Sequence, residues 1–166
     1  GIKVLLNLLW FIYAAGTSEV LAIGSKLGLD LRVLQQALCA SPTQSNFLQY
    51  DINSVFEAGN YDEGFTIDLV CKDIQLGIAL ANKTGIDAVV SKIAEQLHLK
   101  ALDTYGPKSG EMSVVKLYEE AAGTLFRASA PLPFPQYPRD TLSQWIRAQP
   151  TRWLHPFLCT MSSSAL

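Results

Sequence analysis

A lysine and an asparagine four residues apart open this chain, on what the sequence predicts to be an apolar helix. Lys3 and Asn7 are separated by slightly more than one helical turn, so both side chains leave the same face. The apolar residues around them are Val4, Leu5, Leu6, Leu8, Leu9, Trp10, Phe11 and Ile12. An amine in such surroundings can deliver or accept a proton, and an amide beside it can hold a substrate oxygen. The pair predicts a small-molecule site; the alternative is a solvated terminal lysine and a polar interruption of a core helix.

The composition is that of a single domain with a substantial core. The chain has 166 residues, a formal net charge of −2 and a hydrophobic content of 49%. The near-neutral charge and the lack of a basic stripe argue against a nucleic-acid partner. Cys39, Cys71 and Cys159 form no C-x-x-C pair, and neither they nor His98 and His155 have metal-ligand spacing. We therefore expect a cytoplasmic protein without a metal site.

Residues 4–24 are apolar over about the length that spans a bilayer. Asn7 and Glu19 fall inside this run, and a carboxylate is costly in hydrocarbon. One basic residue precedes the run and no small-residue cleavage site follows it. We therefore expect a buried helix, in the core or at a subunit interface, rather than a membrane span or a signal peptide.

The hydrophobic pattern predicts an all-α fold of five to six helices with a long first helix. The predicted helices cover residues 2–27, a segment capped by Asp30, and residues 46–58, 65–83, 88–104 and 113–125. Gly28 and Gly85 each follow a basic last turn and precede an apolar residue and an aspartate, which is typical of a left-handed helix end followed by an N-cap. Ser113 is predicted to cap the last helix. Gly, Pro and Asn separate these segments.

The composition changes after Arg127, so we divide the chain into a helical domain at 1–127 and a tail at 128–166. Six of the eight prolines lie in the tail, whose three arginines and one aspartate give +2 and leave −4 on the helical domain. The Pro131–Pro135 stretch cannot join a helix. The tail also contains Trp145 and Trp153, which are too apolar for a solvated tail. The tail could wrap the body, pack on a partner chain or bind a groove.

Two motifs in the first 125 residues are similar to those of a known family. Lys3-Val4-Leu5-Leu6-Asn7, with Ser18-Glu19 and Gly28-Leu29-Asp30 beyond it, is similar to a K-x-x-N-N pattern, with Leu6 replacing the first asparagine. Residues 60–76 (NYDEGFTIDLVCKDIQL) are similar to a G-F-x-x-x-L-x-x-K-D-L pattern. In this order, the motifs resemble the helical C-terminal domain of the β-hydroxyacid dehydrogenases, which include 3-hydroxyisobutyrate dehydrogenase and tartronate semialdehyde reductase. The tail at 128–166 matches nothing in that family.

The resemblance implies a role for five residues. Lys3 would be the acid/base that takes the proton from the substrate hydroxyl, and Asn7 would orient both the lysine and the substrate. Lys72 would reach toward an NAD or NADP cofactor, Asp73 would set the local helix, and Phe65 would pack near cofactor or substrate. For Lys72 and Asp73 the alternative is an ordinary solvated ion pair.

The chain contains no strand followed by G-x-G-x-x-G, the sequence that holds the cofactor in the family's separate N-terminal domain. We therefore expect no NAD(P) binding by this chain alone, which is either an excised domain or a truncated gene product. The leading hypothesis is a substrate-binding and oligomerisation domain, a homodimer with a small hydroxy acid as ligand. The alternative is a standalone helical scaffold assembled through its tail. An independent enzyme has little support, since no G-x-S-x-G occurs.

Overall fold

The computed structural model describes residues 1–62 and 64–128, which form six α-helices, one π-helical turn and no strand. The helices are α1 (Ile2–Lys26), α2 (Leu31–Cys39), α3 (Ile52–Ala58), α4 (Ile67–Lys83), α5 (Val89–Tyr105) and α6 (Ser113–Ala122). The π-helical turn, Phe47–Asp51, leads directly into α3. The prediction of an all-α fold with a long first helix is confirmed. The predicted tail, apart from Ala128, lies outside the described residues.

Helix α1 is the central element, and it packs against α2, α4, α5 and α6. Its buried positions include Phe11, Ala14, Ser18 and Leu21, spaced by three or four residues as on one face of a helix. Ala14 and Leu21 belong to a core shared with α3 and α6, whereas Phe11 joins a second core against α4 and α5. Glu19 accepts a hydrogen bond from Tyr118 on α6 at 3.2 Å.

The predicted helix ends are largely confirmed. Gly28 has φ 75°, its N–H donates to the Ser25 carbonyl, and the next N–H donates to the Gly24 carbonyl, which is a Schellman motif. Asp30 caps α2 by accepting from the amides of Arg32 and Val33 at 2.8 and 3.1 Å. Gly85 ends α4 with φ 74° and the same pair of hydrogen bonds.

Several local predictions were wrong. Ser113 does not cap α6, because the N-cap is Met112 and the Ser113 hydroxyl has no partner among the described residues. Asp87 does not cap α5 and instead accepts from Lys92. Helix α6 ends at Ala122 rather than residue 125, because Gly123 adopts φ 69°. The helix predicted at 46–58 begins with the π-helical turn, which hydrophobic periodicity cannot distinguish from an α-helical one.

A buried arginine joins α2 to α3. Arg32 is 4% exposed and its guanidinium donates to the side-chain oxygens of Gln35 at 2.7 Å and Asn53 at 2.8 Å. It also forms an ion pair with Glu57 at 3.4 Å. Gln35, fully buried, donates in turn to the Leu48 carbonyl at 2.6 Å, so the π-helical turn is tied to the same network.

Helix α1 is long and apolar enough to cross a membrane by length and composition. It has 25 residues and a mean hydropathy of 1.5 over its most apolar window, of which 28% is buried. Core helices of globular proteins and N-terminal signal sequences share this length and composition. Helix α1 also exposes a stripe of apolar side chains along one face.

Candidate functional site

Lys3 and Asn7 line one cavity, together with aromatic side chains and a carboxylate. The cavity has a volume of about 330 Å³. Its lining residues are Lys3, Asn7, Trp10, Phe11, Phe65 and Glu111. The first four come from α1 at positions i, i+4, i+7 and i+8, which share one helix face. Phe65 and Glu111 come from the segments that precede α4 and α6, so three separate parts of the chain build the site.

The two polar groups from α1 differ in their surroundings. Lys3 is exposed, as expected for a residue in the first turn of the helix, whereas Asn7 is half-buried. The Asn7 amide donates to a carboxylate oxygen of Asp73 on α4 at 2.9 Å. The orientation of the Asn7 side chain is therefore set by α4, across a sequence separation of 66 residues.

Lys72 and Asp73 are not among the residues that line the cavity, and Asp73 reaches it only through its hydrogen bond with Asn7. The Asp73 side chain is 17% exposed and lies 3.9 Å from the Lys72 ammonium, whose own side chain is 63% exposed. A contact of this kind between neighbours in sequence contributes little stability. Asp73 therefore has a second partner in Asn7, whereas Lys72 is an exposed cation on α4 whose recorded contact is the one with Asp73.

Phe65 reaches the cavity from a short segment clamped to the loop before α6. The Glu111 amide donates to the Phe65 carbonyl at 2.8 Å, and the Ile67 amide donates to the Ser109 carbonyl at 2.8 Å. Thr66 and Gly110 form the isolated β-bridge between these bonds. A Cβ at Gly110 would overlap the Tyr61 carbonyl oxygen and the Asp62 backbone, so only glycine allows this approach.

The aromatic wall of the cavity is fixed by contacts on its far side. The Trp10 ring packs edge-on against Phe11 and Phe47 at centroid distances of 5.6 and 5.3 Å. Its indole N–H donates to an Asp51 carboxylate oxygen at 2.7 Å. Phe11 packs against the ring of His98 on α5 at 5.8 Å. These contacts leave the wall with a defined shape before any ligand binds.

Two residues of this site were missed by sequence reasoning. Glu111 belongs to neither sequence motif, and it lines the cavity because the fold places it beside Phe65. Asp51 holds Trp10 across a separation of 41 residues. His98, which has no metal-ligand spacing in the sequence, is fully buried on α5.

Cys71, next to Lys72 on α4, is not an activated nucleophile. Burial raises the pKa of its thiol to about 11, with smaller contributions from the charges of Glu95 and Asp68. A reactive cysteine needs a lowered pKa, so Cys71 is a core residue. Within residues 1–62 and 64–128 no three His, Cys, Asp or Glu side chains are grouped to hold a metal ion.

A second cavity, of about 410 Å³, lies at the carboxyl end of α6, and several of its polar lining groups are paired with residues of the chain. Buried Glu119 accepts from the Tyr61 hydroxyl at 2.6 Å, the Phe126 amide at 2.6 Å and the Arg127 guanidinium at 3.2 Å. The Lys116 ammonium lies 4.6 Å from the centroid of the Tyr61 ring. These charges anchor the chain that follows α6.

The chain is similar in sequence to known dehydrogenases. Residues 1–118 match the family model described as "NAD-binding of NADP-dependent 3-hydroxyisobutyrate dehydrogenase". The chain is 25% identical over 124 residues to 2-(hydroxymethyl)glutarate dehydrogenase of Eubacterium barkeri, covering 74% of this chain and 41% of that protein. It is 30% identical over 102 residues to human mitochondrial 3-hydroxyisobutyrate dehydrogenase, covering 58% of this chain and 30% of that protein.

A solved structure shares the fold. The crystal structure of 3-hydroxyisobutyrate dehydrogenase (ygbJ) from Salmonella typhimurium aligns with a TM-score of 0.63 at 19% identity, over 70% of this chain and 40% of that one. The chain thus spans between 30% and 41% of the length of these relatives. Because the family model matches residues 1–118, more than half of the chain, this chain belongs to the 3-hydroxyisobutyrate dehydrogenase family.

Proposed function

We propose that this chain supplies the substrate-binding wall of a dehydrogenase cleft for a small 3-hydroxy acid, with the Lys3 amine as its acid/base. The observation that carries the proposal is the convergence of Lys3, Asn7 and Phe65 on one cavity, with Asn7 held by Asp73. A volume of about 330 Å³ is at the lower end of small-molecule sites. It suits a hydroxy acid rather than a dinucleotide.

The chemistry assigned to the chain is proton transfer and orientation. During oxidation the neutral Lys3 amine accepts the hydroxyl proton as the carbon–oxygen double bond forms, and the resulting ammonium returns a proton in the reverse reaction. Asn7, fixed by Asp73, presents its amide oxygen toward the ligand. A nicotinamide cofactor, when bound, accepts the hydride that leaves the substrate carbon. The Trp10, Phe11 and Phe65 wall supplies apolar surface on one side of the substrate.

The described residues fit one flank of a nicotinamide cofactor and do not enclose it. Phe65 offers a ring at the cavity, and the exposed Lys72 ammonium offers a charge for a phosphate on the neighbouring surface. No second wall faces them within the described part of the chain. Because the chain spans 41% or less of its curated relatives, we assign the remaining wall to a dinucleotide-binding domain outside this sequence.

A titration of the full chain with 3-hydroxyisobutyrate tests this proposal. In nuclear magnetic resonance spectra we expect shifts confined to cavity groups, chiefly the Asn7 amide and the Trp10 indole N–H. Lys3→Met should weaken binding up to about tenfold, because it removes the hydrogen bond between the Lys3 side chain and the ligand hydroxyl, and such a bond contributes about 0.5–1.5 kcal/mol. The matched control is Lys83→Met at the far end of α4, which should bind as the unaltered chain does. Equal affinity of Lys3→Met and the unaltered chain, or shifts outside the cavity, contradicts the proposal.

The same domain is also proposed to form a homodimer through α1. Apolar side chains with exposures from 41% to 78% follow one face of this helix as far as its C-cap residue. The stripe consists of Ile2, Leu5, Leu6, Leu9, Tyr13, Val20, Ile23 and Leu27. A continuous exposed stripe of this length is typical of a protein-contact surface, and this observation favours assembly over a free monomer.

Leu9→Glu places a charge in the middle of the proposed dimer contact. We expect the molar mass from size-exclusion chromatography with light scattering to fall from that of a dimer to about half, because an unpaired carboxylate in an apolar interface is strongly unfavourable. Gln96→Glu, on the exposed face of α5, is the control and should leave the mass unchanged. A monomeric unaltered chain, or a Leu9→Glu variant that remains dimeric, sinks this assignment.

A further inference from the structure

The carboxylate that lines the cavity belongs to a residue with two separate connections to Phe65. Glu111 is 6% exposed and lies two residues before the start of α6. Its backbone N–H donates to the Phe65 carbonyl at 2.8 Å. Its carboxylate oxygen Oε2 accepts from the Phe65 N–H at 3.2 Å. The same residue therefore holds both polar backbone groups of the residue that forms the cavity wall.

This pairing depends on the side chain in a way that ordinary strand pairing does not. In an antiparallel hydrogen-bonded pair, two residues exchange both bonds through their backbones, so the side chains are interchangeable. Here the second bond uses the Glu111 carboxylate instead of a backbone carbonyl. Removal of the carboxylate leaves the Phe65 N–H without this acceptor, whereas a backbone-paired neighbour such as Ile67 keeps its bond to Ser109.

The position of Phe65 also governs the polar side of the cavity. Phe65 precedes α4 by two residues, and α4 carries Asp73, which holds the Asn7 amide at 2.9 Å. A shift of the Phe65 segment therefore moves an aromatic wall and the start of the helix that orients Asn7. Because Glu111 holds Phe65, it affects both the aromatic wall and the start of α4.

We infer that Glu111 is a positioning residue of the cleft, which fixes Phe65 through its carboxylate and so shapes the wall that a small hydroxy acid contacts. Glu111 acts through Phe65 and transfers no proton. Its part concerning the ligand rests on the proposed function, whereas its part concerning Phe65 does not.

The test compares Glu111→Ala with Glu111→Gln in the full chain. A glutamine retains an oxygen that can accept from the Phe65 N–H, and alanine does not. In Glu111→Ala we expect the solvent-exchange rate of the Phe65 amide to rise about tenfold, while that of the Ile74 amide in the middle of α4 stays unchanged. Glu111→Gln should restore the Phe65 rate to within about threefold of the unaltered chain. Glu95→Ala on α5 is the matched control and should change neither amide.

A purely structural role predicts a different pattern. If Glu111→Ala loosened the fold as a whole, the Phe65 and Ile74 amides would exchange faster together, and that result overturns the inference. An unchanged Phe65 rate in Glu111→Ala, or a Glu111→Gln variant no better than alanine, overturns it as well.

The ligand arm uses 3-hydroxyisobutyrate as the probe. We expect its dissociation constant to rise at least fivefold in Glu111→Ala and to recover in Glu111→Gln. If the unaltered chain binds the probe and Glu111→Ala binds it equally well, the positioning role fails while the proposed function stands. If the unaltered chain does not bind the probe, the proposed function fails, and the Phe65 exchange rates still decide whether Glu111 holds the wall.

Discussion

Arg32→Met should lower the free energy of unfolding by about 3 kcal/mol, because it removes the donor around which α2, α3 and the π-helical turn are arranged. Methionine fills a similar volume and keeps the contact with the Phe56 ring, over which the guanidinium lies at 5.3 Å. It cannot donate to Gln35 or Asn53. We place the effect at the low end for a buried ion pair because the Glu57 side chain is 43% exposed and can be rehydrated.

Urea unfolding followed by circular dichroism at 222 nm measures this difference, and thermal unfolding should show a decrease of roughly 10 °C in the midpoint. Lys100→Met, on the exposed face of α5, is the matched control because it removes a cation and adds the same side chain at the surface. It should change stability by less than about 0.5 kcal/mol. If Arg32→Met is as stable as Lys100→Met, the buried network does not stabilise the fold.

Acidification from pH 7 to pH 5 should destabilise the protein through His98. The imidazole is fully buried on α5, with Nδ1 against the Ala94 carbonyl at 2.8 Å and Nε2 without a partner among the described residues. Burial disfavours the charged form and lowers the pKa of His98 to about 4, opposed in part by the hydrogen bond to Ala94. The unfolded chain has an ordinary histidine pKa near 6.5.

Between these two values the unfolded state binds a proton that the folded state does not. The stability associated with neutral His98 is therefore complete above about pH 6.5 and is lost as the pH falls toward 4, by about 1.4 kcal/mol per pH unit. From pH 7 to pH 5 the expected loss is about 2 kcal/mol. His98→Leu fills the same site without a titrating group, so its stability should decrease less over this interval by about that amount.

Urea unfolding of both chains at pH 7 and pH 5 provides the comparison. The carboxylates are common to both proteins, so their contribution cancels in the difference. Parallel pH dependence in the unaltered chain and in His98→Leu would show that His98 is protonated as easily in the folded state as in the unfolded one. A steeper decrease in His98→Leu would have the wrong sign for a buried neutral imidazole.

Local sequence chemistry accounts for most of the helical framework. The glycines at 28 and 85 end their helices as predicted, because a left-handed residue after a basic last turn depends only on neighbouring residues. Asp30 caps α2 for the same reason. Predictions failed where competing local options existed, as at Ser113, whose hydroxyl is buried inside the first turn of α6 rather than placed at the N-cap.

The candidate site also combines features set by neighbouring residues with features set by packing. The shared face of Lys3 and Asn7 follows from the 3.6-residue period of α1, so the position of an amine beside an amide was predictable from their spacing. It also carried the two motifs that identify the family, because motifs are short runs of residues. Neither motif contains Glu111.

The groups that surround Lys3 and Asn7 depend on how distant segments pack. Asp73 meets Asn7 across 66 residues, and Glu111 meets Phe65 across 46, so both contacts exist because α1, α4 and the loop before α6 pack together. The burial of Arg32 and His98 is also a result of packing, since an arginine or a histidine on a helix is mostly exposed unless other segments cover it. Helix period and capping act over a few residues and are written in local sequence, whereas desolvation depends on every segment that excludes water from a group.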